Sequence, residues 1–192
     1  FRSAAGVAAL AQCASSPLFK RYYPQAAALY LQKAKLGWQF LMNAIQRHGK
    51  DGAYQKITHY ASEFMHDDEL AWAAAEMFLA TGEETYHDRL KAWFDPADPA
   101  TFRWGWWRMC GNYGAAIRSY AFAARTGRLP AGKLDAAFLK KCNTQITKCA
   151  EETTLWSQQG AYGSSFPSAT KAVMAAGWFF STERAFDIAV GY

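Results

Sequence analysis

Residues 67–82 read DDELAWAAAEMFLATG, and this stretch decides the fold class. The acidic residues at 67–69 suit a helix start, where carboxylates bind free N–H groups and oppose the helix dipole. The run from Leu70 to Ala80 is apolar nearly all round, and Gly82 follows it as a stop signal. A helix of this kind has to be enclosed on most sides by other elements. The sequence therefore predicts a buried helix over residues 67–81.

The segments around this helix alternate between two characters. Residues 24–47 are amphipathic, with Pro24 in the first turn, Gly49 after the end and an apolar stripe at spacings of three and four. The stripe consists of Leu31, Ala34, Trp38, Leu41 and Ile45. Residues 84–94 and 133–152 are also amphipathic, whereas residues 2–14, 113–126 and 173–190 are apolar with few charges.

Alternation of enclosed and exposed helices indicates two concentric layers, as in an (α/α) barrel. All helices of a four-helix bundle would be amphipathic, and a solenoid would show a repeat of fixed period. We predict an all-α fold with about seven helices, arranged as part of an (α/α) barrel. We expect the array to be incomplete, because an odd number of helices leaves it open.

The composition narrows the classes of function. Aromatic residues make up 16% of the chain and include eight Trp, which favours a surface that stacks on flat ligands. The net charge of +5 would allow nucleic-acid binding, but the basic residues are scattered and form no stripe. No apolar run reaches the ~20 residues that span a bilayer, and no signal peptide is visible. We expect neither nucleic acid nor membrane as a partner, and we expect the four cysteines to be buried free thiols.

Aromatic residues concentrate in the long connections 48–66, 95–112 and 159–172, where functional residues are expected. Aromatic side chains in and beside these connections are candidates for stacking on sugar rings, and flanking Arg and Asn side chains could form hydrogen bonds with the hydroxyl groups. In the connections they are Trp104, Trp106, Trp107 and Tyr162, and in the segments that follow they are Tyr113 and Trp178; His59 is a further candidate for a ligand contact. The alternatives remain open: one or two Trp plug the barrel end, Tyr162 lies in an ordinary turn, and His59 is structural.

The acidic cluster Glu63, Asp67, Asp68 and Glu69 has two interpretations. Paired carboxylates can act as acid and base on a glycosidic bond or hold a divalent cation. They can also cap a helix, and the helix-start signal favours capping.

Residues 68–78, then 80–83 and Tyr86, closely resemble the DELAWAAAELYLATGD…Y stretch of family 9 glycoside hydrolases. Residues 162–167 and 176–187 resemble the subgroup that carries an N-terminal immunoglobulin-like module. The helix at Pro24 and the Trp104–Trp107 loop fit that subgroup too, so the resemblance covers essentially the whole chain.

The resemblance implies an (α/α)6 barrel that hydrolyses β-1,4-glucan with inversion, an endoglucanase (cellulase) activity. It also implies that residues 1–192 are a fragment of a single (α/α)6 catalytic domain, with about seven of its twelve helices. The family's catalytic base lies in an Asp-x-x-Asp motif N-terminal to this region, and its acid Glu lies C-terminal to it. Neither motif is present, so no catalytic residue is assigned, and we expect the chain alone to be inactive. Some members bind calcium near the Asp-Glu-Leu stretch, which makes Asp68 and Glu69 candidate ligands.

Two other functions are compatible with the residues. A non-catalytic carbohydrate-binding module would bind oligosaccharides without turnover, and a protein-interaction scaffold would expose an apolar groove. The resemblance favours the hydrolase, with cello-oligosaccharide as substrate and the remainder of its own catalytic domain as the partner that closes the barrel. It also implies a secreted or periplasmic protein.

Overall fold

The computed structural model of the chain describes residues 2–49, 67–98 and 112–158. Within these ranges the chain is all-α, with seven α-helices, a 3-10 turn at Ala131–Lys133 and no strand. The helices are α1 (Arg2–Ser15), α2 (Pro17–Tyr22), α3 (Pro24–His48), α4 (Asp67–Thr81), α5 (Glu84–Trp93), α6 (Asn112–Phe122) and α7 (Ala136–Gln158).

Three of these helices form an inner layer. Helix α4 packs between α1 and α6. Every residue of α4 from Glu69 to Leu79 is buried except Trp72, as its uniformly apolar sequence predicts. In α6, Ile117 and Tyr120 are as fully buried as the residues of α4. The predicted enclosed helix over 67–81 is confirmed at both ends.

The other three long helices form an outer layer, each covering one inner helix. Helix α3 packs on α1, α5 on α4, and α7 on α6. Each buries a single stripe, such as Ala34, Trp38 and Leu41 in α3. The described helices therefore have the two-layer architecture of part of an (α/α)6 barrel, and the predicted fold class is confirmed.

The C-terminal ends of the inner helices meet at one end of the array. Arg128, beyond α6, donates a hydrogen bond of 2.7 Å to the hydroxyl of Ser15, the last residue of α1. A Cβ at Gly127 would lie 3.5 Å from Pro17, and one at Gly82, after α4, would lie 3.6 Å from Leu129. The inner helices are therefore parallel, and their N-terminal ends share the opposite end. The long connection 50–66 leads into α4 and the long connection 99–111 leads into α6, both at that opposite end.

Several details differ from the sequence predictions. Helix α2 was not predicted, although Ser16 caps it by accepting a hydrogen bond from the Phe19 N–H at 3.3 Å.

The prediction that the cysteines are buried thiols is wrong for Cys13. This residue lies on an exposed side of α1 that no described helix covers. The prediction is confirmed for Cys142. The predicted helix over 173–190, Cys110 and the side chain of Cys149 lie outside what is described.

The outer face of α3 is less polar than predicted. Leu29, Leu36 and Phe40 recur at spacings of seven and four and expose 48%, 53% and 62% of their surfaces. No helix in the three described ranges is both long and apolar enough to cross a bilayer.

Replacing Gly with Ala should stabilise the protein at one helical glycine and destabilise it at another. A Cβ at Gly37 would lie 2.7 Å from a methyl group of the buried Val7, whereas Gly6 has no atom within 4 Å of that position. We expect Gly6→Ala to raise the free energy of unfolding by about 0.5–1 kcal/mol through backbone entropy. We expect Gly37→Ala to lower it by about 1–2 kcal/mol, because overpacking outweighs the same entropic gain. Urea unfolding measures both changes in free energy. Changes of the same sign at the two positions would contradict the close α1–α3 contact.

Candidate functional site

The N-terminal end of α4 carries two of the predicted site residues. Asp68 accepts a hydrogen bond from the Glu69 N–H at 2.9 Å, so its carboxylate satisfies one of the free N–H groups in the first turn of α4. Glu69 is buried, with 8% of its surface exposed. This arrangement places two carboxylates at the point where the connection 50–66 enters the inner layer.

Tyr113 lies in the first turn of α6, the neighbouring inner helix. It is half-buried, and its ring stacks on Phe94 with centroids 5.1 Å apart and planes inclined by 20°. Phe94 follows the outer helix α5, so the stacking fixes the orientation of the tyrosine ring between the two layers. Because α4 and α6 are parallel neighbours, Tyr113 lies at the same end of the array as Asp68 and Glu69.

The other sequence-predicted site residues lie outside the described ranges. They are His59, Trp104, Trp106, Trp107, Tyr162 and Trp178. Chain connectivity brings the first four into the connections that enter α4 and α6. Their contact with a sugar stays a prediction, and so does that of Tyr113.

The predicted calcium ligands have been tested against the chemistry of their surroundings. Asp68 and Glu69 offer carboxylate oxygens only, which is the donor set that calcium prefers. Calcium takes six to eight oxygen ligands, and the described residues contain no group of three or more His, Cys, Asp or Glu that could hold a metal. Two adjacent carboxylates are too few to hold the ion by themselves, so the calcium prediction for Asp68 and Glu69 stays a prediction.

A groove of about 980 Å³ runs along the inner faces of α1, α4 and α6. Its wall includes Trp72, Arg118 and Phe122, and it extends to Pro17 beyond the end of α1. None of the described site candidates lines it. Helix α2 also contributes to the wall through Leu18 and Arg21, so the groove lies where α2 meets the inner helices.

Sequence reasoning missed a buried ionic network beside this groove. Glu76 of α4 is fully buried, and its carboxylate pairs with the guanidinium of Arg128. The same carboxylate accepts hydrogen bonds from the Trp72 indole N–H at 2.9 Å and from the Ser119 hydroxyl at 2.5 Å. Arg128 also reaches Ser15, so the network joins α1, α4 and α6. A charged residue inside an otherwise apolar helix was the only sequence signal for it.

The network does not have the arrangement of a catalytic carboxylate pair. Glu76 is neutralised by a cation, and no second carboxylate takes part in its described contacts. An inverting glycosidase needs two carboxyl groups roughly 6.5–9.5 Å apart across a substrate. The network instead holds the C-terminal ends of the inner helices together.

Comparison with models of protein families gives a match to glycosyl hydrolase family 9 over residues 2–183. Comparisons with curated proteins and with solved structures give no match. The matched range contains all seven described helices and the two-layer array that they form. The chain therefore belongs to glycosyl hydrolase family 9.

Proposed function

We propose that this chain is part of an endo-β-1,4-glucanase that hydrolyses internal bonds of cellulose-type glucans with inversion. The single observation that carries the proposal is the family match over residues 2–183, which implies a glycosidase acting on a glycan. The expected location is secreted or periplasmic. The subgroup with an immunoglobulin-like module belongs to the same proposal, on the resemblance of residues 162–187.

The geometry supports a substrate cleft at the N-terminal end of the inner helices. The connections 50–66 and 99–111, with His59 and the Trp104–Trp107 cluster, enter the array there, and Tyr113 is held there by Phe94. Aromatic rings held in fixed orientations suit the apolar faces of glucose rings. The opposite end is occupied by the Glu76–Arg128 network and by the connections 82–83 and 123–135.

In the proposed mechanism a Glu protonates the leaving oxygen, and an Asp activates a water molecule that attacks from the opposite face. Single displacement of a β-linked bond then yields an α-anomeric product. We assign both carboxylates to segments outside these 192 residues. Asp68 and Glu69 would instead supply carboxylate oxygens to a structural calcium ion, which would stabilise the start of α4.

The test is hydrolysis of carboxymethyl-cellulose by the purified protein at its measured intact mass. Proton NMR reports the first anomer that is released, and the assay is run with calcium and with a chelator. We expect α-anomer from a protein larger than 21.4 kDa, no turnover from the 192-residue chain, and a lower thermal midpoint after chelation.

Each alternative has its own result. Release of β-anomer would overturn inversion, and oligosaccharide binding without turnover in the larger protein would favour a carbohydrate-binding module. Turnover by the 192-residue chain would overturn the assignment of the carboxylates. Asp68→Asn and Glu69→Gln would then be the first variants to measure.

A further inference from the structure

A buried histidine lies where four helices meet, on the outer side of the inner layer. His87 of α5 exposes 2% of its surface. Its ring lies nearly parallel to Phe78 of α4, with centroids 4.5 Å apart, and to Tyr120 of α6, at 5.5 Å, and it meets the edge of Phe138 of α7 at 5.7 Å. These three rings account for much of the burial of the imidazole.

The hydrogen bonds around His87 determine which ring nitrogen carries the proton. The Tyr120 hydroxyl oxygen accepts the Asp135 N–H at 2.9 Å and lies 3.0 Å from Nε2 of His87. Because Nε2 faces a phenol whose only proton has no other described acceptor, we assign that proton to the bond with Nε2. The imidazole proton is then on Nδ1, which faces the Glu84 carboxylate at 3.6 Å.

Protonation of His87 would break this arrangement. An imidazolium donates from both nitrogens and accepts from neither. Nε2–H and the Tyr120 O–H would then both point a proton into the same contact, and the fully buried phenol would lose its acceptor. A buried donor without an acceptor costs about 1–3 kcal/mol.

This contact also holds the start of α7. Asp135 caps α7 by accepting the N–H groups of Ala137 at 2.9 Å and Phe138 at 3.0 Å. The N–H of Asp135 itself donates to Tyr120, so the helix cap is tied to α6 and, through Tyr120, to His87 of α5.

We propose that the His87–Tyr120 pair is an acid-sensitive contact that holds the N-terminal end of α7 against the barrel. When His87 takes up a proton, Tyr120 turns from it, the bond to the Asp135 N–H is strained or lost, and the first turns of α7 separate from α5 and α6. The remainder of the array, which is held by the Glu76–Arg128 network, stays in place.

The charges that face His87 oppose one another. Lys91 on the same helix disfavours the imidazolium, while Glu84 on that helix and Asp135 before α7 favour it; α4 contributes the uncharged Phe78. Burial is the largest influence and lowers the pKa of His87 below its ordinary value of 6.5. A hydrogen bond from the Phe138 N–H holds the pKa of Asp135 below its usual range, and a hydrogen bond from Lys141 does the same for the pKa of Asp95, so neither carboxyl titrates near neutral pH.

The sign of the pH dependence follows from this depressed pKa. Below pH 6.5 the opened state of α7 takes up a proton on His87 and the closed state does not. Stability is therefore full above pH 6.5, and it is lost as pH falls from there toward the pKa of the closed state. In this window the opening equilibrium grows by up to about tenfold per pH unit.

Amide hydrogen exchange between pH 7.5 and 5.5 tests the proposal. We expect protection factors at 136–142, corrected for intrinsic exchange, to fall by up to about tenfold per unit below pH 6.5, while those of α1 and α4 change little. His87→Gln should remove this dependence. His48→Gln, at an exposed histidine near the end of α3, should leave it unchanged.

Two results would overturn the proposal. One is an equal loss of protection in all helices, which would make His87 an ordinary contributor to global stability. The other is an NMR titration of the wild-type His87 ring with a pKa at or above 6.5. The second measurement needs no variant, so it decides the matter even where His87→Gln does not fold.

Discussion

Arg128→Met should lower the free energy of unfolding by about 3–5 kcal/mol. The substitution keeps most of the side-chain volume but leaves the fully buried carboxylate of Glu76 without its cation. It also removes the bond of 2.7 Å to Ser15. Trp72 and Ser119 continue to donate to Glu76, but neutral donors do not offset the cost of a buried charge. Guanidinium unfolding, with the slope compared between variants, measures the loss.

An exposed ion pair in the same protein provides the control. Lys35 lies 2.9 Å from Glu83, and both side chains are about half exposed, at 46% and 49%. We expect Lys35→Met to cost less than about 1 kcal/mol, since solvent screens that pair. The double variant Arg128→Met, Glu76→Gln should recover much of the loss, because no unpaired charge remains. A cost for Arg128→Met equal to that of Lys35→Met would show that the network contributes little.

Phe78→Ala should lower the free energy of unfolding by about 3–5 kcal/mol. Phe78 is fully buried in α4 and stacks on His87 at 4.5 Å and on Tyr120 at 6.0 Å. Truncation leaves a cavity among the aromatic rings of three helices, and packed side chains fill such a cavity only in part.

The matched substitution is Phe40→Ala on the outer face of α3, where 62% of the phenylalanine surface is exposed. We expect a change within about 0.5 kcal/mol there. Thermal or urea unfolding of both variants gives the comparison. Similar costs at the two positions would contradict the assignment of α4 to the inner layer and α3 to the outer layer.

Local signals in the sequence determined the helices well. Helix α4 begins at Asp67 and ends at Thr81 as predicted, because Asp68 accepts an N–H group in its first turn and Gly82 adopts a φ of 70° at its end. Helix α7 was predicted to begin at 133. It begins at 136 because residues 131–133 form a 3-10 turn and Asp135 supplies the cap.

The contacts between distant residues could not be predicted in the same way. Glu76 and Arg128 are 52 positions apart, and His87 and Tyr120 are 33 apart, so no periodicity links the members of either pair. Asp68, Glu69 and Tyr113 lie at the starts of neighbouring inner helices, and their roles in a site stay predictions. The separation of Tyr113 from the Glu76–Arg128 network depends on the parallel packing of α4 and α6, which only the tertiary structure reveals.

The contacts that join the inner helices and the proposed ligand surface lie at opposite ends of the array, and this affects how the sequence of such a protein can vary. Under the proposed function, insertions or exchanges in 50–66 and 99–111 would alter the surface offered to a ligand and would leave Ser15, Glu76 and Arg128 unchanged. Specificity could then vary independently of the residues that keep the helices together. A laboratory that grafts new segments should choose these two, and should leave 82–83 and 123–135 as they are.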